Sequence, residues 1–369
     1  MILPVPHLHS VRPYAPGRSV ESVQAELGLL DVVKLASNEN PLGPSQHAVA
    51  AASSYLAHAH VYNDGGMALR QRLALHHDVD PSQIIVGNGS DALIHQIMRT
   101  FLQTGHHAVS SEGGFVSFQI AVAGVGGSAV LTPMRADYRF DVEAIAQAAA
   151  DRCSIVYIPN PNNPTGTYLT TSELTWLLDT LPPNVLVVID EAYHEYASYL
   201  RPDDYPNSIA FGHPNVLTLR TFSKAFGLAA LRIGYAVGAT NVVQWLERTK
   251  LPFDPNGVAC AAAQAALDDV VHVATTVQTN ARALAFLTKH VQDLGFIASD
   301  SVANFVMIDT ESVEAATALH SQLLHQGIIT RPLLGFGLPT CLRISTGTDA
   351  DTERVAATLS SISHQRVSL

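Results

Sequence analysis

Four short runs in this chain are apolar or β-branched from end to end: Ile84–Val86, Ile155–Ile158, Val185–Ile189 and Val216–Leu219. A strand wetted on one face alternates apolar with polar residues. One without alternation has both faces covered, as in a mostly parallel sheet held between helices. Helix-like patterns stand between the runs, at Asp91–Leu102 and Ser172–Thr180. Strand alternating with helix predicts a doubly wound α/β domain. The chain has material for it, since 47% of its 369 residues are hydrophobic and only 14% are charged. That balance supplies a large core and argues against disorder.

The ends of the chain read differently. Pro4, Pro6, Pro13, Pro16, Pro41 and Pro44 punctuate the first forty-odd residues. Proline lacks the backbone donor that a helix interior needs, so this stretch is expected to be an extended arm rather than a core helix. After Pro252–Gly257 a long helical pattern covers roughly 257–294. Strand-like pieces come next at Asn304–Ile308, Ile328–Thr330 and Cys341–Ser345, then a last helix at about 350–362. The expected division is an arm over 1–45, a large domain over 46–260 and a smaller α+β domain over 261–369.

Several function classes fall away. Lys and Arg number 21 against 32 Asp and Glu, a net charge of −11, and nucleic-acid affinity comes largely from cationic patches. No apolar run approaches the ~20 residues that span a bilayer, and the opening MILPVPHLHSVRPYAPG lacks the basic and apolar regions of a secretory signal. Cys153, Cys260 and Cys341 are odd in number and widely spaced, which excludes a disulfide framework and fits a reducing compartment. The pairs His76-His77 and His106-His107 have no matched third ligand, so no metal site is expected. The reading is a soluble cytoplasmic enzyme.

In open α/β sheets ligands bind beyond the carboxyl ends of the strands, and each run is followed by residues with chemistry. Gly87-Asn88-Gly89-Ser90-Asp91 forms a strand-to-helix turn whose backbone N–H groups suit an anion. Pro159 to Gly166 is a rigid turn rich in asparagine. Asp190-Glu191-Ala192-Tyr193 places an acid at the end of an apolar strand, where it needs a positive partner or hydrogen bonds. Arg220-Thr221-Phe222-Ser223-Lys224-Ala225-Phe226-Gly227 gathers hydroxyls and a lysine among aromatic rings, with Arg232 eight residues beyond Lys224. Desolvation there lowers an amine pKa toward nucleophilic use. Singly, these motifs are a capped turn, an Asx loop, a helix cap and a surface lysine. Together they describe a site for an aromatic, phosphorylated ring bearing an aldehyde. It has a phosphate cup (Gly87–Asp91, Thr221, Ser223, Arg232), a carboxylate for a ring nitrogen (Asp190), donors for a phenolic oxygen (Asn163, Tyr193) and an amine for the aldehyde (Lys224). That ligand is pyridoxal 5′-phosphate.

These motifs make the chain resemble the histidinol-phosphate aminotransferase family, class II pyridoxal-phosphate enzymes of fold type I. The likeness runs nearly end to end, through Arg12-Pro13-Tyr14, Lys34 to Ser45 (KLASNENPLGPS), Asn162 to Gly166, Asp190 to Tyr193, Arg220 to Lys224, Asn304-Phe305, and Arg343 to Ser345. It implies catalytic roles for Lys224, Asp190 and Tyr193. Gly89, Ser90, Asp91, Thr221, Ser223 and Arg232 would surround the phosphate, Phe115 would stack on the ring, and Asn163 and Tyr193 would face the 3′-oxygen. Tyr62 would reach a neighbouring subunit's cofactor, the arm would join the small domain and that partner, and the protein would be a homodimer. Tyr14, Asn40, Arg331 and Arg343 would contact substrate. The implied reaction moves an amino group from histidinol phosphate to 2-oxoglutarate. An aromatic amino-acid aminotransferase, a phosphothreonine decarboxylase and a non-catalytic cofactor-binding regulator remain as alternatives. Three departures sit near the substrate mouth: Asn63 in place of a proline, Ala92 in place of a glutamate, and Glu112-Gly113-Gly114-Phe115 in place of Pro-Thr-Tyr/Phe.

Overall fold

The computed structural model describes residues 2–11 and 17–367. All four apolar runs are strands of one seven-stranded sheet. In chain order its strands are β1 (Ile84–Gly87), β2 (His107–Ser111), β3 (Ser128–Thr132), β4 (Cys153–Pro159), β5 (Leu186–Asp190), β6 (Val216–Thr221) and β7 (Gly234–Gly238), in spatial order β1-β7-β6-β5-β4-β2-β3. The pairs β2–β3, β2–β4, β4–β5 and β5–β6 are parallel, and β7 runs antiparallel to both β6 and β1. This is the α/β fold with a mostly parallel mixed sheet that the lack of alternation predicts. The four runs became β1, β4, β5 and β6, every residue of which is buried. One cluster covers the first face, with Ile94, Ile97 and Phe118 against Tyr157, Val188 and Leu219. Another covers the second, with Leu174 and Leu177 against Val156, Ile158 and Ile189.

Three strands escape the sequence reading for physical reasons. β3 lies at the edge and is half exposed, β2 opens on His107 and closes on two serines, and β7 begins and ends with glycine. The long helical pattern is two helices, Gly257–Asp268 and Val270–Asp293, bent by 79°. Asp269 makes the break, and its side chain accepts a hydrogen bond from the His272 N–H as the second helix starts. Among the described residues no single helix is long and apolar enough to cross a membrane. The arm also holds an eight-residue helix, Val20–Leu27, capped by Ser19 and closed by Gly28 in the left-handed region. It falls in a proline-free gap of an otherwise extended stretch.

A second sheet is antiparallel, in the order Arg331–Pro332, Cys341–Ser345, Phe305–Asp309, Ile297–Ala298. Ile328–Ile329, expected to lie near these strands, pairs instead with Val33–Lys34 of the arm, in parallel. Tyr193 and Ala225 from the large sheet's loops pack with Phe305 and Ala303 at the base of the second sheet, a small core where the two layers meet.

Two glycines bring the site's segments into contact. A Cβ at Gly234 on β7 would lie 2.6 Å from the Ser90 nitrogen, so this strand residue lets the β1 turn rest directly on the sheet. Gly227 has φ +72°, and a Cβ there would lie 2.3 Å from the Gly43 carbonyl oxygen of the arm. Gly212 has φ +57° with nothing within 4 Å. Gly212→Ala should therefore cost only the left-handed backbone penalty of about 1–2 kcal/mol. Gly227→Ala adds a backbone collision and should lower the thermal midpoint distinctly more. Equal losses would mean that the arm is not seated on this loop.

Candidate active site

Beyond the carboxyl ends of β4, β5 and β6 lies a cleft open to solvent. Ten residues singled out in the sequence line it: Ser90, Asp91, Phe115, Asn163, Asp190, Tyr193, Thr221, Ser223, Lys224 and Arg232. They come from five separate chain segments, and the sheet alone brings them together.

Asp190 ends β5 and is 4% exposed. Its Oδ2 accepts a hydrogen bond from the Tyr157 hydroxyl at 2.7 Å, whereas Oδ1 is buried and accepts none. Burial pushes its pKa up to about 6; the Tyr157 phenol and the Ala192 backbone oppose the rise, and the charges of Asp91 and Glu191 add to it. The next residue serves a different purpose. Glu191 forms a buried ion pair with Arg220 at 2.6 Å and accepts from the Ser208 N–H at 2.9 Å, while Arg220 also reaches Asn207. This pair ties the end of β5 to that of β6, so Asp190 and Thr221 are held in fixed relation.

Lys224 comes after β6 in the tight loop closed by Gly227. Its Nζ donates to the Ser37 carbonyl of the arm at 3.2 Å and lies 5.6 Å from the Tyr193 ring centroid. Burial, reinforced by the neighbouring Arg343 and Arg232, pushes the amine down to about 8. The neutral amine that a nucleophile or proton acceptor requires is then far more populated near neutrality than for an ordinary lysine, at about one part in ten at pH 7.

The helix Gly89–Phe101 begins without a side-chain cap, which leaves its first N–H groups without intrahelical partners, and its residues Ser90 and Asp91 line the cleft. Thr221 donates to Ser223 at 3.0 Å, and Arg232 donates to Ser223 at 3.4 Å and to the Ala229 carbonyl at 2.9 Å. Two hydroxyls, a guanidinium and a helix N-terminus make a cup for a dianion. Tyr193, also in the cleft lining, accepts from Asn38 at 2.9 Å, and a phenol can donate as well as accept. Asn163 accepts from Arg343 through Oδ1, and its amide NH₂ is chemically a donor. The donor set therefore fits a phosphorylated pyridine aldehyde: an anion cup, an unsatisfied buried carboxylate for a ring N–H, and a depressed amine.

The remaining expected residues fall elsewhere. Gly89 lies beside the cleft, where a Cβ would stand 2.7 Å from the Arg232 guanidinium. Arg343 touches the site through Asn163 and also donates to the Ala36 carbonyl at 2.7 Å. Arg331 stands 5.8 Å from the Phe336 ring. Asn40 is not among the residues that line the cleft; its amide donates to Ala225 and Thr276 and its carbonyl accepts from the Leu42 N–H. Tyr62 is 79% exposed and stacks on Phe253 at 4.3 Å. Tyr14 lies outside the described residues. Sequence reasoning missed Tyr157 and Asn38, both of which touch a predicted site residue. A polar hydroxyl inside the run Ile155–Ile158 was the available signal for the first, and the asparagine-rich KLASNENP arm for the second.

The raised pKa of Asp190 has a consequence for the cofactor-free protein. The unfolded carboxyl, near 3.8, releases its proton before the folded one does. Stability therefore falls as pH rises from about 4 to above 6, by on the order of 3 kcal/mol. Asp190→Asn removes that loss. Thermal unfolding of the cofactor-free variant should gain on the wild type between pH 4 and pH 7; a difference that does not change with pH contradicts the assignment.

Comparison with known proteins matches the site's chemistry. The family model of class I and II aminotransferases matches residues 30–359. The histidinol-phosphate aminotransferase of Anaeromyxobacter sp. (strain Fw109-5) is 40% identical over 365 residues, 98% of this chain and 99% of that protein. Histidinol-phosphate aminotransferase 1 of Thiobacillus denitrificans is 42% identical over 346 residues, covering 93% and 88%. The crystal structure of the histidinol-phosphate aminotransferase from Sinorhizobium meliloti in complex with pyridoxal-5′-phosphate superposes with a TM-score of 0.88 at 31% identity, covering 98% of this chain and 97% of that one. This chain belongs to the class I and II aminotransferases and, within them, to the histidinol-phosphate aminotransferase family.

Proposed function

We propose that the protein transfers the amino group of L-histidinol phosphate to 2-oxoglutarate with pyridoxal phosphate, giving imidazole acetol phosphate and L-glutamate in histidine biosynthesis. The observation that carries this reading is the convergence of a depressed lysine, a half-satisfied buried carboxylate and an anion cup in one cleft. The full-length relatives supply the substrate. Lys224, Asp190, Tyr193, Asn163, Phe115, Ser90, Asp91, Thr221, Ser223 and Arg232 hold the cofactor in this proposal. Bound there, pyridoxal phosphate supplies an aldehyde that condenses with amines and a protonated ring that accepts the electron pair left when a proton departs from the adjacent carbon.

The chain's own residues do the rest. Asp190 Oδ1 holds a proton on the ring nitrogen. Tyr193 and Asn163 donate hydrogen bonds to the ring oxygen and fix the plane in which the substrate carbon reacts. Lys224 Nζ would take the proton from that carbon and deliver it to the carbon that carried the cofactor's aldehyde, two bonds away across the shared nitrogen; arginine, always charged, cannot do this. Arg343, which donates to Asn163 of the cleft and to the Ala36 carbonyl, and Arg331 would meet the substrate in this proposal. A guanidinium fork suits both a carboxylate and a phosphate, as this donor and acceptor pair requires. Asn40 is better assigned to seating the arm.

The same reading includes a cytoplasmic homodimer. All three cysteines are buried free thiols, as a reducing compartment allows. Val61, Tyr62, Met67, Leu251 and Phe253 leave an apolar group of side chains 47–79% exposed around the Tyr62–Phe253 stack. Such a face suits a second copy, with Tyr62 crossing to its partner's phosphate cup. The arm over 1–45, the large domain over 46–260 and the small domain over 261–369 remain our proposed division.

Three experiments test these assignments. A panel of amino donors is added to the loaded enzyme, and conversion of the bound cofactor to its amine form is tracked by absorbance. Histidinol phosphate should convert it fastest; conversion by phenylalanine with none by histidinol phosphate would overturn the substrate. Lys224→Ala should lose the absorbance of covalently held cofactor and slow turnover by at least about 10²–10⁴-fold. Separately, light scattering should give twice the chain mass of 39.4 kDa, and Leu251→Asp with Phe253→Asp should reduce it to one chain. A fully active wild-type monomer contradicts the dimer.

A further inference from the structure

The sequence motifs give Asp190 a cofactor to face but nothing behind it. Tyr157 sits there. It lies on β4, where Pro159 is the register partner of Asp190 and Val188 is that of Tyr157. Residues two apart on a strand share a face, so Tyr157 and Asp190 project to the same side of the sheet, diagonally across adjacent strands. That diagonal is within reach of a long aromatic side chain, and the phenol closes it at 2.7 Å. Tyr157 is fully buried and its ring stacks on Phe118 at 5.1 Å and 7°. The hydroxyl is thereby aimed at Asp190 Oδ2 and the cavity is left to Oδ1.

We propose that Tyr157 is a positioning residue that sets where the proton shared between Asp190 and the cofactor ring resides, by donating to Oδ2 and making the carboxylate a weaker base. The inference rests on the cofactor reading above. A pyridine nitrogen and a carboxylate in contact compete for one proton, and the electron sink works only while the ring keeps it. Burial makes Asp190 a stronger base, and Asp91 from the helix Gly89–Phe101 and Glu191 on its own segment act in the same direction. Against these stand the phenol and the Ala192 backbone. Leu219 of β6, the register partner of Asp190, and Phe118 are apolar. Lys224 lines the same cleft, and when protonated it interacts favourably with the Asp190 carboxylate. Tyr157 itself stays protonated, because burial and the neighbouring Asp190 push its pKa far up. Its donor is present throughout the working range.

Hydrogen bonds to a charged group alter its proton affinity by about one to two pH units. Removing the phenol should therefore change the ratio of ring-held to carboxyl-held proton by about 10- to 100-fold. The test uses enzyme loaded with pyridoxal phosphate labelled with ¹⁵N in its ring. The wild type should show a pyridinium ¹⁵N signal at pH 7.5. Tyr157→Phe keeps the ring and its stacking, and its signal should move toward that of neutral pyridine, with kcat lowered and KM for the amino donor within about twofold. A second variant carries 3-fluorotyrosine at 157, a stronger donor of nearly the same shape; it should stay at the wild-type value or lie further toward pyridinium. A Tyr157→Phe signal that coincides with wild type, or a fluorotyrosine signal moved toward neutral pyridine, overturns the inference while leaving the cofactor reading intact. A wild-type protein that gives no bound ¹⁵N signal overturns both.

Discussion

The structure turns on a carboxylate placed where charge is costly. Asp190 closes a strand buried on both faces, and burial there works against its ionised form. One oxygen is met by a phenol from the next strand, and the other is left to the cavity. A group in that condition stays charged only against a cation, and a protonated heterocycle is the cation that an adjacent amine and anion cup select. The requirement runs backward through the fold. It needs β4 and β5 in register, a helix stacking the phenol, and the Glu191–Arg220 pair fixing the strand ends beneath. The Glu191–Arg220 pair is itself buried, so removing one partner would leave an uncompensated charge of the kind that is strongly destabilising.

The arm completes what the sheet begins. Its backbone carbonyls at Ala36 and Ser37 receive Arg343 and Lys224, and Asn38 donates to Tyr193. The Ser345 hydroxyl donates to the Asn38 side-chain oxygen, and Asn304 donates to the Asn38 backbone carbonyl. One short segment thus joins residues of both sheets, which explains why Leu35, Ala36, Asn38 and Asn40 are buried in a stretch with so little regular structure. Asn38 itself holds φ +57°, a conformation that asparagine tolerates better than most residues.

Much of this was legible in the sequence because the informative residues stand at strand ends. Continuous apolar runs revealed the buried strands, and topology delivers the residues just beyond each run to one edge of the sheet. Asp190, Lys224, Thr221, Ser223 and Ser90 needed no knowledge of tertiary partners. The misses have the opposite character. Tyr157 looks like one more apolar strand residue, and only the register across to β5 gives its hydroxyl a purpose. Asn38 and Asn40 are indistinguishable as neighbours in a motif, yet one reaches the cleft and the other staples the arm to Ala225 and Thr276. β2, β3 and β7 carry polar ends, edge exposure or glycine, so their strand character comes from their neighbours. The break at Asp269 is a side-chain cap inside a pattern whose apolar spacing continues through it.

The central claim is that the amine at position 224 is the point of covalent attachment. The chain has four lysines, Lys34, Lys224, Lys250 and Lys289, so one measurement separates them. The cofactor-loaded protein is reduced with borohydride, digested, and its peptides are weighed. The pyridoxyl phosphate increment is expected on the peptide containing Lys224 and on no other. An increment on the peptide of Lys34, Lys250 or Lys289, with that of Lys224 unmodified, would contradict it.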